Sequence, residues 1–296
     1  MKISIIGAGN VGASIAYALC MREVCEEIVL LDVVANVAKA KSIDIAQASQ
    51  IFGTKVRISG GDEWVRLAGS DMVIITAGSP RKAGQSREDL LLKNASVVKE
   101  CAKNIAVYAP KAIIVVVTNP LDEMVWVAYK ASGFAKERVL GMAGELDSAR
   151  YRYEAAVVAG ADESEMRGIV IGSHSDMMTL VRGSLSLNLS DDEFNQARES
   201  TINGGASIVK LLGTSAYYAP AAGVVAMCES VAGELKREVV ASILVDDELV
   251  SGRLVRLDRV GLSEILKLDL SDDELKTLSK SEAKIRENIN FLKQNI

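Results

Sequence analysis

The sequence predicts a doubly wound, parallel-sheet α/β domain over residues 1–143 followed by an α+β domain over residues 144–296. Three observations carry this. Short β-branched runs alternate with longer helical stretches through the first half, the strand–helix–strand order of a parallel sheet covered on both faces. The alternation stops near Ala143, after which long helices precede a strand-rich stretch. The length of 296 residues also exceeds the usual domain size of about 150, and 49% hydrophobic residues can fill two cores.

In order, residues 2–6, 27–31, 55–58, 72–76, 112–118 and 139–141 read as strands, because each is a short β-branched or apolar run. Between them, residues 11–21, 34–50, 87–108 and 121–132 read as helices. In the second half a helix over 147–159 leads into a strand over 169–171, followed by helices over 191–212 and 221–238. Residues 240–244, 253–257 and 264–268 suggest antiparallel strands. Ser271 and Glu274 have capping-box spacing and open a terminal helix. Four prolines, no repeat and no low-complexity stretch leave no obvious linker, so an extensive interface between the domains is expected.

Composition excludes several classes of function. A net charge of −5 without a lysine or arginine block disfavours a nucleic-acid partner. Cys20, Cys25, Cys101 and Cys228 show neither CxxC pairing nor metal-ligand spacing, so reduced thiols and no metal are expected. The first apolar run, 3–6, is too short for a signal-peptide core, and 113–117 is far below a membrane span. The expectation is a cytoplasmic protein with no membrane partner.

Gly7-Ala8-Gly9-Asn10-Val11-Gly12 follows the first strand and opens the first helix. In that context a GxGxxG run lets a pyrophosphate approach the unpaired N–H groups of a helix N-terminus, as in a Rossmann domain. Asp32 ends the second strand, twenty residues past Gly12. Its carboxylate suits the adenosine ribose hydroxyls and repels a 2′-phosphate, which selects NAD over NADP. An ordinary glycine turn beside a coincidental acid is the competing reading.

The segment from Thr76, Ala77 and Gly78 through Ser79, Pro80, Arg81, Lys82, Ala83, Gly84, Gln85, Ser86 and Arg87 follows the fourth strand, at the sheet edge where ligands collect. Two arginines six apart in a glycine-containing loop suggest a closing lid, one polarising a carbonyl and the other pairing with a carboxylate; a solvated basic loop is the alternative. Asn119 ends the next strand in Thr118-Asn119-Pro120. Asp147 and Arg150, three apart, share one face in the first turn of a helix. There an arginine can grip a carboxylate and an aspartate can orient a histidine, although each alone also fits a cap or surface ion pair. His174, in Gly172-Ser173-His174-Ser175-Asp176, is the only histidine in the chain, so any proton step that needs imidazole must use it. Without context, it also reads as a histidine held by backbone bonds at a strand end.

Taken together, GAGNVG, Asp32, AGSPRKAGQSR, Asn94, VTNPLD, LDSAR and GSHSD resemble the lactate and malate dehydrogenase family over nearly the whole chain. Within the family the sequence is similar to the malate-specific, lactate-dehydrogenase-like branch, because Arg81 stands where lactate enzymes usually carry glutamine. The resemblance implies hydride transfer between (S)-malate and NAD, with His174 exchanging the hydroxyl proton and Asp147 orienting it. It also implies Arg150 on the C1 carboxylate, Arg87 on the reacting oxygen, Arg81 on the second carboxylate and Asn119 touching substrate and cofactor. Thr76, Ala77, Gly78, Asn94 and Val117 would line the cofactor. A small dicarboxylate partner, a place in the tricarboxylic acid cycle and a homo-oligomer, dimer or tetramer, follow from the same likeness. The oligomer would form through the helix spanning 38–50, with Ile43, Ile45 and Ala46 as apolar contacts.

The sequence departs from the family pattern at several points. Ser175 replaces the usual glycine of GxHGD, which would strain the backbone if that position needs a positive φ. Ala83 and Gln85 replace the lid's usual proline and methionine. Ala216 replaces a pocket threonine. Residues 244–249 lack a common glycine-tyrosine turn, which suggests a shortened hairpin. A lactate or other 2-hydroxyacid dehydrogenase, or an NAD-binding relative impaired at Ser175, are the rival readings; an NAD-dependent glycosidase would need cysteine and histidine metal ligands that do not appear at Thr118 or elsewhere.

Overall fold

The computed structural model describes residues 1–79, 86–162, 164, 166–233 and 237–296. Within them one large sheet of nine strands runs through the molecule. Its first part comprises β1 (Lys2–Ile6), β2 (Glu27–Leu31), β3 (Arg57–Gly61), β4 (Met72–Ile75), β5 (Ile113–Val116) and β6 (Val139–Met142), all paired in parallel in the spatial order 3-2-1-4-5-6. The order reverses between β1 and β4. In doubly wound sheets that point opens a crevice at the carboxyl ends of the strands.

Helices α1 (Asn10–Met21) and α2 (Ala35–Phe52) connect the first three strands, and α3 (Arg87–Tyr108) and α4 (Leu121–Ser132) flank β5. Every residue of β4, β5 and β6 is buried, as continuous apolar runs covered on both faces require. The expected strand over 55–58 instead occupies Arg57–Gly61, because pairing with β2 continues through Leu31 opposite Gly61. Glycine is needed at position 60: a Cβ there would lie 2.2 Å from the Ala38 carbonyl of α2.

The chain continues through α5 (Gly144–Ala159), β7 (Ile169–Ile171), β8 (Thr179–Val181), α6 (Asp191–Leu212), α7 (Tyr218–Ala232), β9 (Glu238–Asp246), β10 (Leu249–Asp258), β11 (Gly261–Ile265) and α8 (Asp272–Asn295). The three late strands are antiparallel, as expected, yet they build no sheet of their own. β9 pairs with β6 through Gly141 opposite Ser242 and Met142 opposite Ala241, extending the parallel sheet across the chain's midpoint. The short strand β8, absent from the sequence reading, pairs with β7. Only two residues connect β9 to β10, in keeping with the shortened hairpin.

Several helix limits change, α5 and α7 by three residues or more. The helix expected over 221–238 ends at Ala232, where Gly233 adopts the left-handed conformation that closes helices, and Glu238 already belongs to β9. α5 begins three residues earlier than expected, so Asp147 and Arg150 lie beyond its first three residues. The capping box at Ser271 and Glu274 is present. Ile45 faces the chain's own core rather than solvent, while Val37, Ile43, Ile51 and Phe52 of α2 are exposed.

Candidate active site

The glycine loop joins β1 to α1 at the crevice. Gly7 has φ +108°, and a Cβ there would lie 2.6 Å from Thr76 Oγ1; at Gly12 it would lie 1.9 Å from the Gly7 carbonyl. These two glycines permit the turn to close on itself. At Gly9 a Cβ would meet nothing within 4 Å, so the N-terminal mouth of α1 is open to a ligand. This fits a pyrophosphate drawn to the unpaired N–H groups of Asn10, Val11 and Gly12. Asp32 at the end of β2 fixes the loop's other side: Oδ2 accepts from Ala8 N at 2.7 Å and Oδ1 from Val34 N at 2.9 Å.

Two neighbouring loops close the floor of the crevice. Thr76 Oγ1 donates to the Gly7 carbonyl at 3.0 Å, and Thr118 Oγ1 donates to the Ala77 carbonyl at 2.7 Å. Gly78 lies so close to Thr118 that a Cβ would be 2.5 Å from Cγ2. Asn94 is buried; Oδ1 accepts from Ser79 N at 2.8 Å, and Nδ2 donates to the Ser79 and Asn119 carbonyls at 3.1 and 2.6 Å. Its amide is therefore spent on clamping two loops together. Asn119 is exposed and Val117 half-buried along that edge.

The imidazole sits on the other side. His174 Nδ1 and Asp147 Oδ2 are 2.7 Å apart, the range of a charge-assisted bond, and Asp147 Oδ1 accepts from Arg150 Nη1 at 3.2 Å. Asp147 is 2% exposed, so both of its oxygens serve these partners. An Nδ1–H donated to Asp147 leaves His174 Nε2 as the acceptor. Burial by itself lowers the imidazole pKa, but the charge and hydrogen bond of Asp147, with the charge of Asp122, outweigh it and raise the pKa above 6.5. Among the described residues, Arg150 Nε is buried without an acceptor, 3.8 Å from the position a Cβ on Gly204 of α6 would take.

The sequence reading missed Asp122. This buried carboxylate accepts the His174 backbone N–H at 2.9 Å through Oδ2 and the Ser242 hydroxyl at 2.9 Å through Oδ1. Burial, aided by the adjacent Glu123 charge, pushes its pKa up to about 7 against those favourable contacts. The residue stands in the quoted VTNPLD, but an acid in a helix's first turn reads as a dipole partner, which hid the contact to a residue 52 positions away. The α6 backbone was also missed: a Cβ at Gly205 would lie 3.6 Å from both Arg150 Nη atoms, so no side chain separates this helix from the guanidinium.

Ser175 resolves without strain. Among the described residues, Glu23 is the only non-glycine with positive φ, so Ser175 does not occupy the conformation that would demand glycine. Its hydroxyl bonds Ser173 Oγ at 2.6 Å and accepts from Met177 N at 3.2 Å. Arg87 occupies the first position of α3, exposed, behind a Ser86–Asp89 capping box. A cation there opposes the helix dipole, which Glu88 and Asp89 offset. Arg81, Ala83 and Gln85 lie outside the described residues.

A glycine loop at a sheet's switch point, paired with a carboxylate-held imidazole beside a guanidinium, defines a nucleotide-dependent enzyme acting on an anionic substrate. Residues 1–141 match the model of the lactate/malate dehydrogenase NAD-binding domain, and residues 144–295 that of the lactate/malate dehydrogenase alpha/beta C-terminal domain. The chain belongs to the lactate/malate dehydrogenase family, and NAD is its cofactor. It is 39% identical to a malate dehydrogenase of Bacteroides fragilis, over 99% of this chain and 98% of that one. Its fold matches a malate dehydrogenase of Cryptosporidium parvum with a TM-score of 0.94, at 34% identity over 99% of both chains. A lactate dehydrogenase of the same organism, solved with lactic acid and nicotinamide adenine dinucleotide, gives a TM-score of 0.93 at 30% identity over 99% of this chain and 98% of that one.

Proposed function

We propose that this protein is an NAD-dependent malate dehydrogenase, interconverting (S)-malate and oxaloacetate, with residues 1–143 holding the cofactor and 144–296 completing the substrate site. The observation that carries the mechanism is the chain from Arg150 through Asp147 to His174. NAD held by the Gly7–Gly12 loop would supply the hydride acceptor for malate oxidation, and NADH the hydride donor for the reverse reaction. In oxidation, His174 Nε2 takes the C2 hydroxyl proton as the C–H electron pair leaves, and Asp147 stabilises the resulting imidazolium. In reduction, the imidazolium returns that proton to the new alkoxide. Arg150 pairs with the C1 carboxylate, and Arg87 stabilises charge on the reacting oxygen. Arg81 pairs with the second carboxylate. Asn119 touches both ligands, while Gly7 to Gly12, Asp32, the Thr76–Gly78 turn, Val117 and the loops clamped by Asn94 form the nucleotide crevice.

We also infer a cytoplasmic homo-oligomer, dimer or tetramer, acting in the tricarboxylic acid cycle. Support for a reduced compartment comes from four buried free cysteines, two of whose thiols, Cys25 and Cys101, are pushed up to about 12 chiefly by burial. Exposed Val37, Ile43, Ile51 and Phe52 on α2 support self-association. No helix among the described residues is long and apolar enough to cross a membrane.

The test is steady-state NADH oxidation with oxaloacetate and pyruvate side by side. Oxaloacetate should be strongly preferred, and Arg81→Gln should shift the kcat/KM ratio towards pyruvate by leaving the second carboxylate unpaired. A pyruvate preference in the unaltered protein favours the lactate reading. NADH binding without turnover of either acid favours a non-catalytic relative.

A further inference from the structure

We propose that Lys41 is a cofactor-positioning residue, holding the glycine loop in the conformation that presents its N–H groups to the dinucleotide pyrophosphate. The proposal rests on the assignment of that loop as the nucleotide site. Lys41, a half-buried residue on α2 outside the glycine motif, reaches back to the glycine loop. Nζ donates to the Ala8 carbonyl at 2.7 Å and the Gly9 carbonyl at 3.3 Å.

Peptide geometry turns those two contacts into a constraint on the opposite edge of the loop. In a planar trans peptide, the carbonyl of one residue and the N–H of the next point in opposite directions. Drawing the Ala8 and Gly9 carbonyls towards Lys41 therefore turns the Gly9 and Asn10 N–H groups away from α2. The Gly9 carbonyl also accepts from Ala13 N at 3.0 Å, so the Gly9–Asn10 peptide is aligned with the α1 axis as well. Ala8 is gripped at both ends, its N–H by Asp32 Oδ2 at 2.7 Å and its carbonyl by Lys41.

The loop needs such a clamp. Gly7 and Gly9 lack side chains that restrict φ and ψ, and at Gly9 no packed atom lies within 4 Å of a Cβ position. An unclamped loop would pay its ordering entropy when the cofactor binds. Lys41 fixes it beforehand and places a positive charge behind the carbonyls whose partner N–H groups face the anion.

The experiment measures binding of NADH, ADP-ribose and adenosine by calorimetry to the intact protein and to Lys41→Met and Lys41→Arg. ADP-ribose carries the pyrophosphate; adenosine does not. Lys41→Met should raise the Kd for NADH and ADP-ribose about tenfold, the equivalent of one charge-assisted hydrogen bond, and leave adenosine binding unchanged. The KM for NADH should rise by more than kcat falls, and Lys41→Arg should recover most of the loss. Lys41→Gln provides the same comparison if the methionine variant does not fold. Equal Kd values for NADH in the unaltered and Lys41→Met proteins, or equal weakening of adenosine and ADP-ribose, overturn the proposal. If the unaltered protein binds no ADP-ribose, the nucleotide assignment itself falls.

Discussion

Replacing Asp147 by Asn tests the proton relay at its most sensitive point. In the unaltered protein the 2.7 Å contact to His174 Nδ1 is made by a carboxylate that is almost fully buried, so little water can substitute for it. A hydrogen bond to a charged group contributes about 1.5–3 kcal/mol. Since about 1.4 kcal/mol is a factor of ten, its loss should lower kcat/KM for oxaloacetate about 10- to 150-fold. An amide can also donate to Nδ1, which places the imidazole proton on Nε2 and removes the acceptor, so the larger value is expected. Arg150 Nη1 loses a charged partner as well, which should raise the KM for oxaloacetate.

The pH profile supplies the second readout. With His174 as the proposed proton acceptor, malate oxidation requires the neutral imidazole, so kcat/KM should rise with pH through the pKa of the free enzyme, here above 6.5. Without the Asp147 charge, burial prevails and that midpoint should move to lower pH. NADH affinity, measured by fluorescence titration, should not change. A loss below about threefold, less than one typical neutral hydrogen bond, together with an unmoved midpoint would refute the relay.

His174→Asn should abolish turnover in both directions and retain NADH binding, since no other imidazole exists in the chain; steady-state assay and fluorescence titration check the two halves. Gly12→Ala should weaken NADH binding at least tenfold, because the new Cβ would press on the Gly7 carbonyl and force the loop open. Assayed above pH 7, where the Asp122 carboxyl is ionised, Asp122→Asn should lower kcat by about tenfold, the scale of one charged hydrogen bond, with NADH affinity intact. Its stability has a defined pH signature. The folded state holds the Asp122 proton up to about 7 rather than 3.8, so the unaltered protein loses stability as pH rises through that window. The variant cannot titrate there, and the Tm difference between the two should therefore move in the variant's favour from pH 4 to 7.

What was legible in the sequence were features encoded locally. The buried strands β1 and β2 announce themselves as β-branched runs, and α3, α4 and α6 appear at their expected limits. The glycine loop, Asp32 and the Asp147–Arg150 spacing could be read because each motif carries its own chemistry within a few residues. Long-range pairing could not. The three-residue strand β8 is too short to show a period, and nothing local indicates that β9 will join β6 instead of starting a second sheet. Ile45 belongs to the same class: helical spacing allowed it to face outward, and only the position of the sheet turns it into the core.

The extension of the sheet by β9 and β10 matters beyond architecture, because the His174 loop is tied to both strands. Gly172 and Gly252 exchange two backbone hydrogen bonds, 3.1 and 2.8 Å, two residues before the histidine. Gly172 takes φ +85°, and a Cβ on Gly252 would lie 2.8 Å from the Gly172 carbonyl, so the crossing requires glycine at both positions. On β9, Ser242, which pairs with Gly141 of β6, holds Asp122, which holds the histidine backbone N–H. The imidazole is thereby indexed to the sheet at two points, and the glycine loop rises from the same sheet at β1. Hydride and proton must move at adjoining atoms of one substrate, where displacement of about 1 Å can cost a hundredfold in rate. A single continuous sheet carries the glycine loop and the anchors of His174, and those anchors, the Gly172 bridge and the His174 backbone N–H, both precede Ser175, so the residue that departs from the family pattern carries neither.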